Sequence, residues 1–316
     1  MELSDVDVVI LGGGPAGLSA ALILARARRR VVVVDAGDPR NASAEAAHGL
    51  LGNEGIAPGQ LLAKGRDEIV SFGAEVRHGA ARAVRADGRG FVVSLDDDVE
   101  LRSRAVIIAT GVRDELPPIE GLRERWGRDV IHCPYCHGYE VRDRRIGLVA
   151  TNPMSALQAL MFGQWSDDVR FFTQGMTFSD GDLAKLAAVG IPVVDDLVTE
   201  ALIEGDALSG VLVGAGRRID LDVLAVPTRT VARLDGLDGL ELETTDTGMG
   251  FALVADAAGH TSRAGVWAAG NVANGTQQIG DAAANGARVA MNLNTEFVFE
   301  DAETAVASAT TVGARS

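Results

Sequence analysis

The residues with the clearest capacity for chemistry are Cys133-Pro134-Tyr135-Cys136, because they hold the only two cysteines among 316 residues. Two thiols separated by two residues can close into a small disulfide and open again. A chain with no other cysteine has no disulfide scaffold to build, so the pair points to redox chemistry. His132 and His137 flank it as nitrogen donors, which makes half a zinc site the alternative. Zinc needs a full tetrahedral ligand set, and no second ligand pair occurs, so no metal is expected. An accidental buried pair is the bland reading. If a helix starts near Cys133, then Cys136 and His137 fall on one side of its first turn. The helix N-terminus would favour thiolates. The His137 imidazole, beside them, could take a proton from an incoming thiol; otherwise it is a surface helix histidine. His132 and Tyr135 have weaker claims, and Glu140 reads as a solvated or orienting carboxylate.

The elements around the pair give it a setting. An apolar run, Val6 to Leu11, predicts a buried strand. Gly12-Gly13-Gly14-Pro15-Ala16-Gly17 follows at once, Leu18 to Arg28 reads as a helix, and Val31 to Val34 is a second strand ending in Asp35. Strand, G-x-G-x-x-G, helix, strand and acid together form a dinucleotide fingerprint. The glycines permit a tight turn and close approach of a pyrophosphate to the helix N-terminus, and the acid accepts from a ribose. Arg28-Arg29-Arg30 reads as a cap on the helix C-terminus. A second βαβ unit is predicted from the strand at 145–149, the helix at 155–164 and the strand at 169–173. His78 and His260 read as ordinary surface positions.

Composition narrows the partners. The chain carries 47% hydrophobic residues and 38 glycines, as suits a turn-rich α/β protein of about two domains. A net charge of −15, from 29 basic and 44 acidic residues, argues against nucleic acid and anionic membranes. No apolar run reaches membrane-spanning length and Met1 to Asp7 lacks a secretory pattern, so the expected location is the cytoplasm. Residues 300–316 are Ala/Thr/Ser-rich without apolar periodicity and read as a flexible tail.

Two further segments carry a family resemblance. Val106-Ile107-Ile108-Ala109-Thr110-Gly111 is a strand ending in a small turn. Gly265-Val266-Trp267-Ala268-Ala269-Gly270-Asn271 is another, followed by a helix over about 278–294. These resemble the segments that close the FAD site in two-dinucleotide-fold flavoproteins. The order FAD half, second nucleotide fold with C-x-x-C at its start, FAD half again is similar to the low-molecular-weight thioredoxin reductases, over residues 6 to 296. The resemblance implies an α/β architecture of two Rossmann-like domains, with a FAD domain (1–116 and 245–299) interrupted by a smaller pyridine-nucleotide-type domain (117–244). It implies FAD as cofactor and a homodimer. The implied FAD contacts are Gly12, Gly14, Pro15, Ala16, Gly17, Asp35, Ala36, Arg40, His48, Ala81, Ala109, Thr110, Gly111, Gly270, Asn271, Gln278 and Ile279. His48 reads equally as a flavin-side, substrate-side or plain surface-loop residue. The family usually has Asp where this chain has Asn271.

In two places the chain departs from the reductases. Their second fold binds NADPH through its own G-x-G-x-x-A turn and a basic cluster after the next strand. Here the turn is Ala150-Thr151-Asn152-Pro153-Met154-Ser155, without glycine, and Pro153 lacks the N–H a phosphate would want. The later segment, Gln174 to Asp180, has no Arg or Lys. The reductases also read Cys-Ala-Thr-Cys-Asp-Gly, whereas this chain reads Cys133-Pro134-Tyr135-Cys136-His137-Gly138. That form is similar to the FAD-dependent dithiol oxidases, which make the disulfides of natural products such as holomycin and gliotoxin. The resemblance implies electron flow from a small-molecule dithiol to the Cys133–Cys136 disulfide, to FAD, then to O2 giving H2O2. It assigns Cys133 as the attacked sulfur, Cys136 as the flavin-side sulfur and His137 as base. The rival expectation is a thioredoxin-reductase-type protein-disulfide reductase fed by NADPH or another reductant; a non-catalytic flavoprotein stands behind it.

Overall fold

The structure, a computed structural model, describes residues 4–88 and 90–313. The chain divides into two compact units. Unit 1 comprises residues 1–40, 59–113 and 231–316, and unit 2 comprises 41–58 and 114–230. Residues 41–58 therefore group with unit 2, and 231–244 with unit 1. Both stretches fall across the boundaries expected from the sequence.

Unit 1 is built on a seven-stranded sheet. Its order runs Glu75–His78, Val31–Asp35, Ser4–Leu11, Glu100–Ile108, Gly90–Leu95, Ala81–Asp87, with Val266–Ala268 also paired to Glu100–Ile108. The central strands are parallel, while the Gly90–Leu95 and Ala81–Asp87 pairings are antiparallel. Val8, Val9 and Ile10 are wholly buried, and alternate residues feed apolar clusters on opposite faces. A strand covered on both faces needs such an uninterrupted apolar run. One cluster packs the first helix, Pro15–Arg26, against the long helix Ile279–Gly313. At that crossing a Cβ on Gly286 would strike the backbone of Ala16, so only glycine allows the approach.

The long helix corrects two expectations. Of the tail expected over 300–316, residues 300–313 continue the helix, and 314–316 lie outside the described residues. Arg104 pairs with Glu300 (2.9 Å) and Asp301 (2.7 Å), and its guanidinium lies 3.9 Å from the centre of the Phe297 ring. Arg29 donates to Asn294 and Asp301 (2.8 and 2.9 Å), so it ties this helix down and does not cap the first one. The first helix ends at Arg26, with Arg28 in the left-handed region (φ 63°).

Unit 2 holds a parallel five-stranded sheet, ordered Val193–Val194, Val169–Phe172, Ile146–Val149, Val223–Ala225, Val130–Ile131, and an antiparallel three-stranded sheet over residues 198–220. With unit 1 this gives the expected mixed α/β fold of two Rossmann-like domains. Strand Val130–Ile131 delivers the chain to the cysteine pair.

Candidate active site

The first helix starts at a bare Gly14. No side chain caps it and no acid lies in its first turn. By helix geometry, the earliest N–H groups then have no intrahelical acceptor and offer an anion site. The glycines around it are forced. Gly12 has φ +109°, a conformation L side chains rarely adopt, and its Cβ would meet the Ala109 backbone. At Gly13 a Cβ would stand 2.5–2.8 Å from the Asp35 carboxyl, while at Gly14 nothing lies within 4 Å. That is a cradle closed behind and open in front. Gly17 and Ala16 form the first turn, and a Cβ on Gly270 would reach Ala16 at 2.7 Å. Asp35 ends its strand and accepts from Gly37 N–H (3.3 Å), with Ala36 between. Ala109, Thr110 and Gly111 follow strand Glu100–Ile108; Ala81 opens strand Ala81–Asp87.

The loop before the long helix is braced. Arg40 donates to the Gly275 carbonyl (2.8 Å). Asn271 spends its amide N–H groups on the carbonyls of Asn274 (3.0 Å) and Gln277 (2.9 Å). An Asp could not donate there, so Asn271 has a task of its own. Gln278 and Ile279 sit at the start of the helix. Gln277 Oε1 is a buried acceptor without a hydrogen-bond partner among the described residues. An uncapped helix start, an open glycine cradle, a strand-end acid and an orphan acceptor together fit a dinucleotide cofactor of the FAD kind. Arg233 escaped the sequence reading. Its carbonyl accepts from Thr110 Oγ1 (2.6 Å), its N–H donates to Gly111, and its guanidinium holds Asp38 (2.9 Å). No local pattern marks it, because it joins the site from 120 or so residues away along the chain.

In unit 2, Cys133 and Cys136 are joined as a disulfide, with Cα atoms 5.3 Å apart. Cys133 caps a single helical turn, Pro134–His137, and its Sγ accepts from Cys136 N–H at 3.2 Å. His137 N–H bonds back to the Cys133 carbonyl (3.2 Å). A helical turn therefore starts at Cys133, and both cysteines and His137 belong to it. His137 Nδ1 is buried and has no hydrogen-bond partner among the described residues. Burial pushes His137 below the usual histidine range; Glu140 and the Cys133 carbonyl pull upward, His48 adds to the depression, and burial prevails. At neutral pH the ring is a free base. Gln158 Nε2 donates to the His132 carbonyl, fixing the approach to the turn. The only two tyrosines of the chain, Tyr135 and Tyr139, flank Cys136 and are both exposed.

His48, read from the sequence as a flavin-side, substrate-side or surface-loop residue, groups with this unit. Its Nδ1 lies 2.7 Å from Glu54 and its Nε2 3.6 Å from Glu140.

The turn at 150–155 has spent its donors. Ser155, wholly buried, accepts from the N–H groups of Thr151 (3.1 Å) and Asn152 (3.3 Å), and Asn152 Oδ1 accepts from Met154 N–H (2.9 Å). Gln174, where a basic cluster would lie, exchanges two hydrogen bonds with Val198 (both 2.9 Å). Among the described residues no group of three or more His, Cys, Asp or Glu could hold a metal ion, and no helix is long and apolar enough to cross a membrane.

Two dinucleotide-type folds with a C-x-x-C disulfide at the start of the second are the frame of a disulfide oxidoreductase. The chain belongs to the pyridine nucleotide-disulphide oxidoreductase family, whose model matches residues 6–150. Its fold and sequence align with the crystal structure of HlmI at 42% identity, covering 98% of this chain and 97% of that one, with a TM-score of 0.91. Among curated proteins it is 38% identical over 153 residues to thioredoxin reductase tcpT of Claviceps purpurea (strain 20.1), covering 47% of this chain and 48% of that protein. In this first comparison the chain thus spans about half the length of its relative. It is 28% identical to thioredoxin reductase sirT of Leptosphaeria maculans, over 94% of this chain and 96% of that one.

Proposed function

We propose that this chain is a FAD-dependent dithiol oxidase that closes an intramolecular disulfide in a small natural-product dithiol, with O2 as final acceptor and H2O2 as product. The observation that carries this reading is the turn at 150–155. Its N–H groups are already taken by Ser155 and Asn152, so the usual entry point for NADPH electrons is closed from within. Electrons must then enter through the disulfide, and a dithiol is the reductant a disulfide accepts.

The chemistry follows from the turn. Neutral His137 takes the proton of the first substrate thiol. The thiolate attacks Cys133 Sγ; a substrate–Cys133 bond forms, the Cys133–Cys136 bond breaks, and Cys136 leaves as a thiolate. The second substrate thiol, once deprotonated, attacks the substrate sulfur of that mixed disulfide. A cyclic disulfide departs and Cys133 leaves as a thiolate, with the Cys136 N–H already directed at its sulfur. FAD, held by Gly12 to Gly17, Asp35, Asn271 and the start of the long helix, would supply the two-electron acceptor that restores the pair and passes its electrons to O2. As in the family it resembles, we expect a cytoplasmic homodimer.

The test is anaerobic mixing of the purified flavoprotein with NADPH and, separately, with dithiothreitol. The expected result is bleaching of the flavin band by the dithiol alone, with peroxide on re-aeration. The relatives named thioredoxin reductases favour a second reading, reduction of a protein disulfide. Rapid bleaching by NADPH would establish that one and end ours.

A further inference from the structure

A surface helix ordinarily turns charged side chains to water. The helix Ser155–Phe162, which leaves the closed turn, has none: it reads Ser155-Ala156-Leu157-Gln158-Ala159-Leu160-Met161-Phe162. Its inner side is core, with Ser155, Ala156, Ala159 and Phe162 buried. Its outer side is apolar too, yet Leu157 is 49% exposed and Met154, at the N-cap, is 55% exposed. In a chain with 23% charged residues, that is an apolar face left open to solvent.

This face borders the disulfide turn. Met154, Leu157, Gln158 and Met161 stand at i, i+3, i+4 and i+7, so they are neighbours on the helix surface. From among them Gln158 donates to the carbonyl of His132, the residue before Cys133. Tyr135, between the two cysteines, is exposed. Its ring meets that of Trp165 at right angles, with centroids 6.2 Å apart, and Trp165 rests in turn on buried Phe162 at 6.4 Å. Trp165 lies so close to the turn that a Cβ on Gly138 would stand 2.7 Å from its ring atoms. One perpendicular contact thus fixes the Tyr135 ring without covering it. Tyr139 differs, since the Arg142 guanidinium lies over its ring at 4.2 Å.

We propose that Tyr135, Met154 and Leu157 form an apolar shelf beside the disulfide, which binds the carbon skeleton of the substrate and selects dithiols built on an apolar ring over hydrophilic ones. The proposal rests on the dithiol reading above and adds the residues that set its specificity. A molecule whose sulfur reaches Cys133 must lay its skeleton on what borders the turn, and on this side the border is Tyr135 and the open helix face. The shelf also gives the closed turn a use. Asn152 Oδ1 accepts from Met154 N–H (2.9 Å), so one of the bonds that deny the turn a phosphate also sets Met154 at the head of the apolar stripe.

The test is anaerobic bleaching of the flavoprotein against concentration of two dithiols, dithiothreitol and benzene-1,2-dimethanethiol. Both close six-membered cyclic disulfides, but one carries hydroxyls and the other a benzene ring. The readout is the ratio of their second-order rate constants, in which general damage to the disulfide cancels. Wild type is expected to favour the aromatic dithiol. Y135S should lower the ratio about tenfold, and M154Q and L157Q about threefold each, mainly by raising the half-saturating concentration of the aromatic dithiol. V189Q changes an exposed apolar side chain at the end of another helix, Asp180–Ala188, and should keep the wild-type ratio. A wild type without the preference, or shelf variants that keep the wild-type ratio as V189Q does, overturn the shelf alone. So does a mass by light scattering that falls in M154Q and L157Q while the ratio holds, because the face is then a contact with a second copy. A wild type that neither dithiol bleaches removes the dithiol reading and the shelf together.

Discussion

The turns at 12–17 and 150–155 occupy equivalent places in two Rossmann-like units and have opposite hydrogen-bond states. In the first, glycines and a bare helix start leave backbone donors facing open space. In the second, Ser155 and Asn152 turn the side chains of the loop onto its own N–H groups. A phosphate site needs unsatisfied donors, and a buried backbone tolerates none. A nucleotide turn that has no ligand must therefore satisfy itself, and this one does. The βαβ scaffold persists because its sheet core, with Phe162, Phe171 and Leu148 wholly buried, depends on apolar packing and not on a ligand.

The largest effect expected from breaking this contrast is at Gly12. G12A places a Cβ at φ +109° against the Ala109 backbone, strain of about 1–3 kcal/mol before the clash is counted. We expect a loss of at least about tenfold in retained flavin, equivalent to about 1.4 kcal/mol, read from the absorbance of cofactor released on denaturation. Its counterpart in the other turn, S155A, strips an acceptor from two N–H groups and should cost about 1–3 kcal/mol of stability. Flavin content should stay unchanged, and NADPH should still fail to bleach the flavin, since Pro153 and Gln174 remain. Denaturant melts and cofactor absorbance check both. An S155A protein that NADPH reduces would show that self-satisfaction alone closes the site.

How much of this was legible in the sequence follows the same division. The first turn is readable because glycine spacing is a backbone demand, and the second because a missing glycine and a proline are equally plain. The dithiol turn is readable because Cys133, Cys136 and His137 are local neighbours. The loop of 41–58 is not, since nothing local says that His48 will join Glu140 from nearly a hundred residues away. Residues 300–313 show no apolar period, so they suggest no helix. Alanine-rich composition and ion pairs of Arg29 and Arg104 make one, and the partners lie far back along the chain. Asn271 looks like a weakened Asp until its two donated bonds are seen.

The units also differ in how their histidines answer to pH. In unit 2, burial holds His137 below its unfolded value. The unfolded chain therefore binds the extra proton, and the stability that His137 in its neutral form confers is present above the ordinary histidine pKa and falls as pH drops below it. H137Q should flatten that acid-side loss in a thermal melt followed between pH 7.5 and 5, and should abolish most bleaching by dithiothreitol, by about 10²-fold or more.

His260 in unit 1 runs the other way, and more weakly. It is no ordinary surface residue: Nδ1 lies 3.0 Å from Asp256, Nε2 lies 2.6 Å from Glu296 on the long helix, and the ring packs 4.0 Å from that of buried Trp267. Burial opposes its protonation, but Glu296 and Asp256 outweigh burial and raise it above the usual histidine range. Here the folded state binds the proton more tightly. The stabilisation is fully present below the ordinary histidine pKa and is lost as pH rises through the raised folded value. The side chain is 40% exposed, so solvent screens the pair and the effect should stay within about 1 kcal/mol. H260Q should remove a small alkaline-side decline in melting temperature between pH 6 and 8 and leave the pH 5 to 6 behaviour governed by His137. Because the clasp joins the 255–261 turn to the helix that also carries Arg104 and Arg29, the same variant should speed amide exchange in that turn above pH 7 no further than wild type, and speed it below pH 6, where wild type alone has the charged clasp.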